Sequence, residues 1–425
     1  MKFIQRFKSD FFKNVLKLLS GTVLSSAISF LALPVITRLY SEADLGLFQA
    51  FNSIILILGG IASLKYELTI VLPKAEEEAN HAVVLSLIVT LLFSAVSWVA
   101  FALFREPLFR FMEIEQLIPY ANIIVLGILG YGILQITRFM LMRDKAFGPL
   151  ARNNVYQSVA QHGGSIALGL RGGSFSGLFY AFIAGTLIPS LMVGITYFRR
   201  IPRPDWKRLK SLAWQYRKFP IFNTSNVFLN NFSLELPVFM MAVYFDEATI
   251  GLYSLAMRLL VVPLNLLGTS VSRVYFQAAS EAYNESPGKL LALYKETVGK
   301  LSLIGLAPVV VILVAAPTLV ALIFGENWRE AGVYMQLLSV ALYFRFVNSP
   351  ISTTFSIIDK QEMALFLTGG SVVIRYLAMY LNSHSPLALI TALSVATAIF
   401  YAAYNFTIYY FVRKLADGDA SAGKT

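Results

Sequence analysis

Several arginines interrupt long apolar stretches of this 425-residue chain, where a cation has no bulk water around it. A charge placed inside hydrocarbon costs about 3 kcal/mol or more, so such a residue normally faces a polar cavity or a partner. A guanidinium group donates two parallel hydrogen bonds in a fixed fork, which suits the oxygens of a diphosphate. We therefore predict an anion site with the candidate ligands Arg258, Arg345, Arg375 and Arg38.

Amide side chains form a second polar group within the apolar stretches. Asn154, Gln157 and Gln161 recur at helical spacing and therefore share one face of a helix. Amides donate hydrogen bonds to sugar hydroxyls and also accept them. Together with Asn230 and Asn348, these residues are predicted to line a water-filled cavity that holds a glycan.

Glu235 is the acidic residue placed most deeply in an apolar stretch, and it is the candidate for coupling transport to an ion. The alternative is structural, because Glu235 could simply pair with Arg258. Lys17 carries the same ambiguity, since a lysine near a helix end can extend its ammonium group to the membrane interface. Both interpretations stay open at the level of the sequence.

Other residue types argue against enzymatic chemistry. The chain has no Cys and three scattered His, which excludes thiolate nucleophiles and cysteine metal sites. The segments between apolar stretches lack an Asp cluster with the spacing to hold a divalent metal. We predict no catalytic residue, no metal and no cofactor.

The composition predicts the elements that position these residues. Only 14% of the residues are charged, against about 25% in soluble proteins, and 57% are hydrophobic. Since roughly 20 apolar residues of helix cross a bilayer, the chain is predicted to be an all-α integral membrane protein with about twelve transmembrane helices. These spans lie near residues 15–37, 45–63, 80–104, 117–137, 150–170, 175–198, 219–245, 253–276, 297–323, 331–358, 362–382 and 386–412.

The distribution of cations predicts the orientation. Most of the 35 Lys and Arg fall in alternate loops that include both termini, which places those loops and both termini in the cytoplasm. The opposite side holds only Arg38, Arg105, Arg110, Arg171 and Arg329. This asymmetry explains the net charge of +11 without nucleic acid as a partner.

A basic segment at residues 199–218 divides the chain almost in half. Trp206, Leu209 and Leu212 recur at helical spacing among its cations, so it is either a helix lying on an anionic leaflet or a plain basic linker. The predicted division is an N-terminal six-helix bundle at 1–198, this linker, a C-terminal bundle at 219–412 and a cytoplasmic tail at 413–425.

The two halves also repeat a short pattern. LPVITRLYSEADLGLF at 33–48 returns as LPVFMMAVYFDEATIGLY at 236–253, with a two-residue insertion. Six helices per half is an even number, which favours parallel repeats related by an axis normal to the membrane.

Four stretches resemble the polysaccharide transporter family of the multidrug/oligosaccharidyl-lipid/polysaccharide exporter superfamily, the bacterial O-antigen-type flippases. They are LPVITRLYSEADLGLF (33–48), LKYELTIVLPKAEEEA (64–79), IGLYSLAMRLLVVPLNLLGTSVSRVYFQAASEAY (250–283) and FGENWREAGVYMQLLSVALYFRFVNSPIST (324–353). The resemblance covers about residues 10–412, and the third stretch is the most specific.

The resemblance implies two bundles around a central cavity that opens alternately to each side of a bacterial cytoplasmic (inner) membrane. It implies a polyprenyl-diphosphate-linked oligosaccharide as substrate, with its lipid tail in the membrane lipid. A proton or sodium gradient or the membrane potential is expected to drive transport, and a polysaccharide polymerase is an expected partner.

Two other functions fit the sequence less well. A multidrug exporter of the same superfamily would favour acidic and aromatic cavity residues over arginines. A non-transporting accessory subunit of a polysaccharide assembly machine would not need intramembrane arginines at all.

Overall fold

The computed structural model describes the backbone of residues 2–198 and 204–422 and the side chains of residues 20–195, 204–264, 271–272 and 274–418. The described chain is helical and contains no strand. Its helices are α1 (Lys2–Leu39), α2 (Glu42–Gly59), α3 (Glu76–Phe111), α4 (Ala121–Arg143), α5 (Phe147–Gly169), α6 (Phe175–Phe198), α7 (Trp206–Gln215), α8 (Thr224–Tyr244), α9 (Glu247–Glu285), α10 (Pro287–Phe324), α11 (Arg329–Ile351), α12 (Thr354–Ile357), α13 (Gln361–Leu381) and α14 (Pro386–Ala422).

Ten helical segments among the described residues are long and apolar enough to cross a membrane. The chain is therefore an all-α integral membrane protein, as its composition predicts. The two predicted spans that fall outside this set correspond to α5 and α11. Each has 23 residues, or about 35 Å of helix, so polarity and not length sets them apart. The full count of twelve spans stays a prediction.

The first compact unit comprises Met1–Gly251. Helix α5 packs against α1 and α6, and α2 packs against α4 and α8. Phenylalanines fill its centre, with the rings of Phe51 and Phe179 stacked 4.2 Å apart. Helix α8, which lies beyond the basic linker in sequence, contributes to this unit through α2. The division into two six-helix bundles stays a prediction.

The sequence repeat corresponds to two helix starts with the same kind of cap. At the start of α2, the Asp44 amide donates to Ser41 Oγ and the Ser41 amide donates to Asp44 Oδ2. At the start of α9, Asp246 accepts from the amide of Thr249, again three residues along. Such side chains satisfy amides that have no partner within the helix.

The glycines of the repeat, Gly46 and Gly251, lie where these two helix starts touch. A Cβ atom on Gly46 would overlap the carbonyl oxygen of Glu247, and a Cβ atom on Gly251 would overlap that of Glu42. Only glycine allows backbones to approach this closely. The contact is reciprocal, since equivalent residues of the two repeats face each other.

The second compact unit comprises Leu252–Thr425. Helices α10, α11 and α14 pack against one another, and α13 packs on α14. Two tyrosines add polar links between helices of this unit: Tyr275 of α9 shares a 2.8 Å hydrogen bond with Thr354 of α12, and Tyr294 of α10 donates to the carbonyl oxygen of Asn405 of α14.

The basic linker does contain a helix, α7, as the spacing of its apolar residues predicts. Leu209 and Leu212 are buried against Val84 and Leu85 of α3, so this face contacts protein and not lipid. The Tyr66 hydroxyl donates to the carbonyl oxygen of Ala213 and adds a polar attachment. Residues 199–203 of the linker lie outside the described residues.

Candidate functional site

A polar pocket of about 260 Å³ opens between α1, α4 and α5 in the first unit. Its lining is made of hydroxyls, amides, one imidazole and one guanidinium, and it contains no carboxylate among the described residues. The lining residues are Ser25, Ser26, Ser29, Arg138, Asn154, Gln157, Ser158, Gln161 and His162. A pocket of this polarity in a membrane protein is suited to a hydrophilic ligand.

Arg138 provides the positive charge of this pocket. Its guanidinium donates to Gln135 Oε1 at 3.4 Å, to Asn154 Oδ1 at 3.5 Å and to Gln157 Oε1 at 3.3 Å. These hydrogen bonds are long and their acceptors are neutral, so they orient the guanidinium without cancelling its charge. An anion that enters the pocket can therefore form stronger hydrogen bonds to Arg138 than the amides do.

The same contacts orient the amides. Because Asn154 and Gln157 turn their carbonyl oxygens towards Arg138, their NH2 groups remain as donors for a ligand. Gln161 lies one turn further along α5, as the sequence spacing predicts. The three predicted amides thus line one pocket, and their contact with a glycan stays a prediction.

Serines form the wall between α1 and α5. Ser29 and Ser158 share a 3.0 Å hydrogen bond, and Ser158 donates to the carbonyl oxygen of Ser25 at 2.9 Å. Their small side chains let the two helices approach closely, while their hydroxyls keep the surface polar.

Two of the predicted arginines lie close together in the second unit. Arg375 of α13 lies within electrostatic range of Arg345 of α11, and Tyr401 of α14 lies beside Arg375. The Arg375 guanidinium lies 5.2 Å from the centre of the Phe400 ring, and its Nε atom is buried without a hydrogen-bond partner. Two neighbouring cations, one with an unused donor, form a centre that an anion would stabilise.

The other predicted ligands are more scattered. Asn348 lies one turn from Arg345 on α11 and is buried, with its Oδ1 atom lacking a hydrogen-bond partner. Arg258 is partly buried on α9. Arg38 at the end of α1 and Asn230 on α8 are exposed and do not line the polar pocket. The side chain of Lys17 lies outside the described residues.

Glu235 lies where α8 crosses α2. Its carboxylate accepts a 2.5 Å hydrogen bond from Ser53 Oγ and a 3.3 Å hydrogen bond from Gln49 Nε2. One turn earlier, Asn231 donates to the carbonyl oxygen of Leu56 and joins the same two helices. Glu235 therefore accepts hydrogen bonds from α2, and the sequence around Glu235 does not predict these donors.

Sequence reasoning missed two features of the first unit. The predicted span at 117–137 leaves Arg138 in a cytoplasmic loop, but α4 continues to Arg143 and carries Arg138 into the pocket. Lys65 and Glu67 form a buried ion pair at 3.1 Å. The available signal for the pocket in the sequence was the three-residue spacing of Gln135 and Arg138, which places these two polar side chains on one face of α4.

Comparisons with known proteins agree with this architecture. The family described as "Polysaccharide biosynthesis protein" matches residues 35–333. The chain is 27% identical over 174 residues to the lipopolysaccharide biosynthesis protein WzxC of Escherichia coli (strain K12). That match covers 40% of this chain and 35% of the relative, so the chain matches only about a third of that protein's length.

Two solved structures share the fold over nearly the whole chain. One is a multidrug resistance MATE family transporter of the MOP superfamily in an inward-facing conformation, with a TM-score of 0.73, 19% identity and coverage of 92% of this chain and 95% of that chain. The other is the lipid II flippase MurJ in an inward closed conformation, with a TM-score of 0.73, 14% identity and coverage of 92% and 87%.

Proposed function

Because this chain belongs to the family of polysaccharide biosynthesis proteins, we propose that it is a flippase for a polyprenyl-diphosphate-linked oligosaccharide. It moves the headgroup from the inner to the outer leaflet by alternating access and performs no bond chemistry. The product feeds assembly of a cell-surface polysaccharide such as O-antigen, capsule or exopolysaccharide. The membrane is the bacterial cytoplasmic membrane, and both termini lie in the cytoplasm.

The polar pocket of the first unit is the observation that carries this proposal. In the proposed orientation α4 ends in the cytoplasm, and Arg138 lies five residues before that end, or about 7 Å along the helix. The pocket is therefore close to the side from which the substrate is loaded. Its amide and hydroxyl groups suit the sugars, and Arg138 suits an acidic sugar or a phosphate.

The arginines of the second unit are proposed to bind the diphosphate. Arg345 and Arg375 are neighbouring cations, so a dianion bound between them offsets their mutual repulsion and accepts a hydrogen bond from Arg375 Nε. Arg258 and Arg38 are proposed to assist as secondary ligands. Asn348 and Asn230 are proposed to contact the glycan.

A multidrug exporter shares this fold, but the chemistry of the pocket does not favour it. A cavity for cationic drugs needs acidic residues, whereas the polar pocket carries Arg138 and no carboxylate among its described lining. The deciding experiment is mass spectrometry of carrier-linked lipids from a strain without this protein. Accumulation of a polyprenyl-diphosphate oligosaccharide supports the flippase, and unchanged carrier lipids with increased drug sensitivity support the exporter.

Glu235 is proposed to couple transport to a proton. In Glu235→Gln, the amide oxygen keeps the hydrogen bonds from Ser53 and Gln49, so the fold should persist. We expect the variant to lose the pH dependence of transport, measured in proteoliposomes with an imposed pH gradient. Glu362→Gln, at an exposed carboxyl in the first turn of α13, is the matched control and should behave as wild type. An unchanged pH profile in Glu235→Gln excludes this residue from coupling.

The proposed orientation is testable because the chain contains no Cys. Cysteines introduced at positions 42 and 247 should react with a membrane-impermeant maleimide in intact cells. Cysteines at positions 208 and 360 should react only after permeabilisation, because the cation distribution places them in the cytoplasm. Labelling of position 208 in intact cells contradicts this orientation.

A further inference from the structure

Helix α7 has two different faces. Leu209 and Leu212 are buried against α3, and Arg208 forms an ion pair with Glu77 of that helix. These contacts hold α7 on the first unit. On the other face, Trp206 and Trp214 each expose 70% of their surface.

The exposed tryptophans alternate with cations. At 100° per residue, Trp206, Lys207, Lys210 and Trp214 fall within an arc of about 100° that is distinct from the leucine face. The Arg217 guanidinium lies 4.0 Å from the centre of the Trp214 ring. No ion pair among the described residues involves Lys207, Lys210, Arg217 or Lys218.

The position of α7 in the chain keeps this face near the membrane. It follows α6 and precedes α8, and both of those elements contain candidate membrane spans. Beyond Lys218, Ile221 and Phe222 are also exposed at the start of the next span. Tryptophan is enriched where a protein meets the headgroup region of a bilayer, and lysines near a leaflet are attracted to anionic lipids.

We propose that the Trp206–Trp214 face of α7 binds anionic phospholipids, with both indoles at the headgroup level and Lys207 and Lys210 against the lipid phosphates. The leucine face remains on α3, so α7 connects the lipid surface to the first unit. Of the acidic residues nearest α7, Asp205 caps the helix and Glu77 pairs with Arg208. This proposal does not depend on the identity of the transported molecule.

The test uses the four tryptophans of the chain. In a Trp98→Phe/Trp328→Phe background with excitation selective for tryptophan, the emission comes from Trp206 and Trp214. The protein is placed in phosphatidylcholine nanodiscs that contain an equal fraction of brominated phosphatidylglycerol or brominated phosphatidylcholine. We expect the brominated anionic lipid to quench several times more strongly, and added salt to reduce the difference.

Charge variants complete the experiment. Lys207→Gln/Lys210→Gln should lower the preference for the anionic lipid by roughly fivefold or more, because each cation near the surface adds to the attraction. Lys74→Gln/Lys360→Gln, at two other exposed lysines, is the matched control and should keep the preference. Equal quenching by both lipids overturns the proposal. Absence of lipid quenching together with strong quenching by aqueous acrylamide also overturns it and indicates a face in contact with water. Absence of quenching by either agent overturns it and indicates a protein partner.

Discussion

Replacing Arg138 by Gln should reduce transport at least tenfold while leaving the protein folded. Arg138 is the only Lys or Arg that lines the polar pocket among the described residues, and its present acceptors are neutral amides. A hydrogen bond to a charged group contributes about 1.5–3 kcal/mol, which corresponds to roughly a 10- to 100-fold loss. The measurement is accumulation of carrier-linked oligosaccharide, together with surface polysaccharide, in a strain that carries the variant in place of its own copy.

Two further variants separate charge from folding. Asn154→Asp places a carboxylate where Arg138 already donates a hydrogen bond, so it should keep the protein stable and still inhibit transport by neutralising the guanidinium. Arg152→Gln removes an exposed cation from the same helix as Asn154 and should have no effect. Normal transport by both Arg138→Gln and Asn154→Asp, at wild-type protein levels, excludes the pocket from substrate binding.

The sequence predicts which segments form helices better than it predicts which helices pack against each other. Long apolar stretches specify membrane helices because the bilayer imposes their length, and helical periodicity places Asn154, Gln157 and Gln161 on one face. Neither property indicates which helix lies opposite that face. The serines of α1 contact α5 only in the folded structure, since the hydrogen-bonded Ser29 and Ser158 are 129 positions apart in sequence.

Arg138 and Glu235 illustrate the two reasons for the remaining gaps. Counting loop cations assigns every arginine near the end of a span to the topology signal. The count therefore does not distinguish an arginine such as Arg138, whose side chain lines a pocket. Glu235 is conspicuous in the sequence, but its donors Ser53 and Gln49 lie on a helix more than 180 positions earlier. Packing, which no local pattern encodes, decides both environments.

The reciprocal glycine contact predicts the second large effect. In Gly46→Ala or Gly251→Ala, the new methyl group would overlap a backbone carbonyl oxygen of the facing helix start, which no rotamer change can relieve. Overpacking costs about 1–3 kcal/mol even where side chains can adjust, so we expect at least about 3 kcal/mol here. The apparent Tm of the purified protein should fall by roughly 3–6 °C. Gly163→Ala and Gly299→Ala, where a Cβ atom meets nothing within 4 Å, are the matched controls.

The controls should keep or raise the Tm, because alanine is about 1 kcal/mol more favourable than glycine inside a helix. Gly46→Ala could also separate the two helix starts without unfolding the protein. In that case a cysteine at position 42 or 247 should react faster with maleimide than the same cysteine in a protein that keeps Gly46. An unchanged Tm combined with unchanged labelling rates contradicts the close contact. Because Gly46 and Gly251 face each other, the double variant should cost less than the sum of the single variants, since the first substitution already forces the backbones apart.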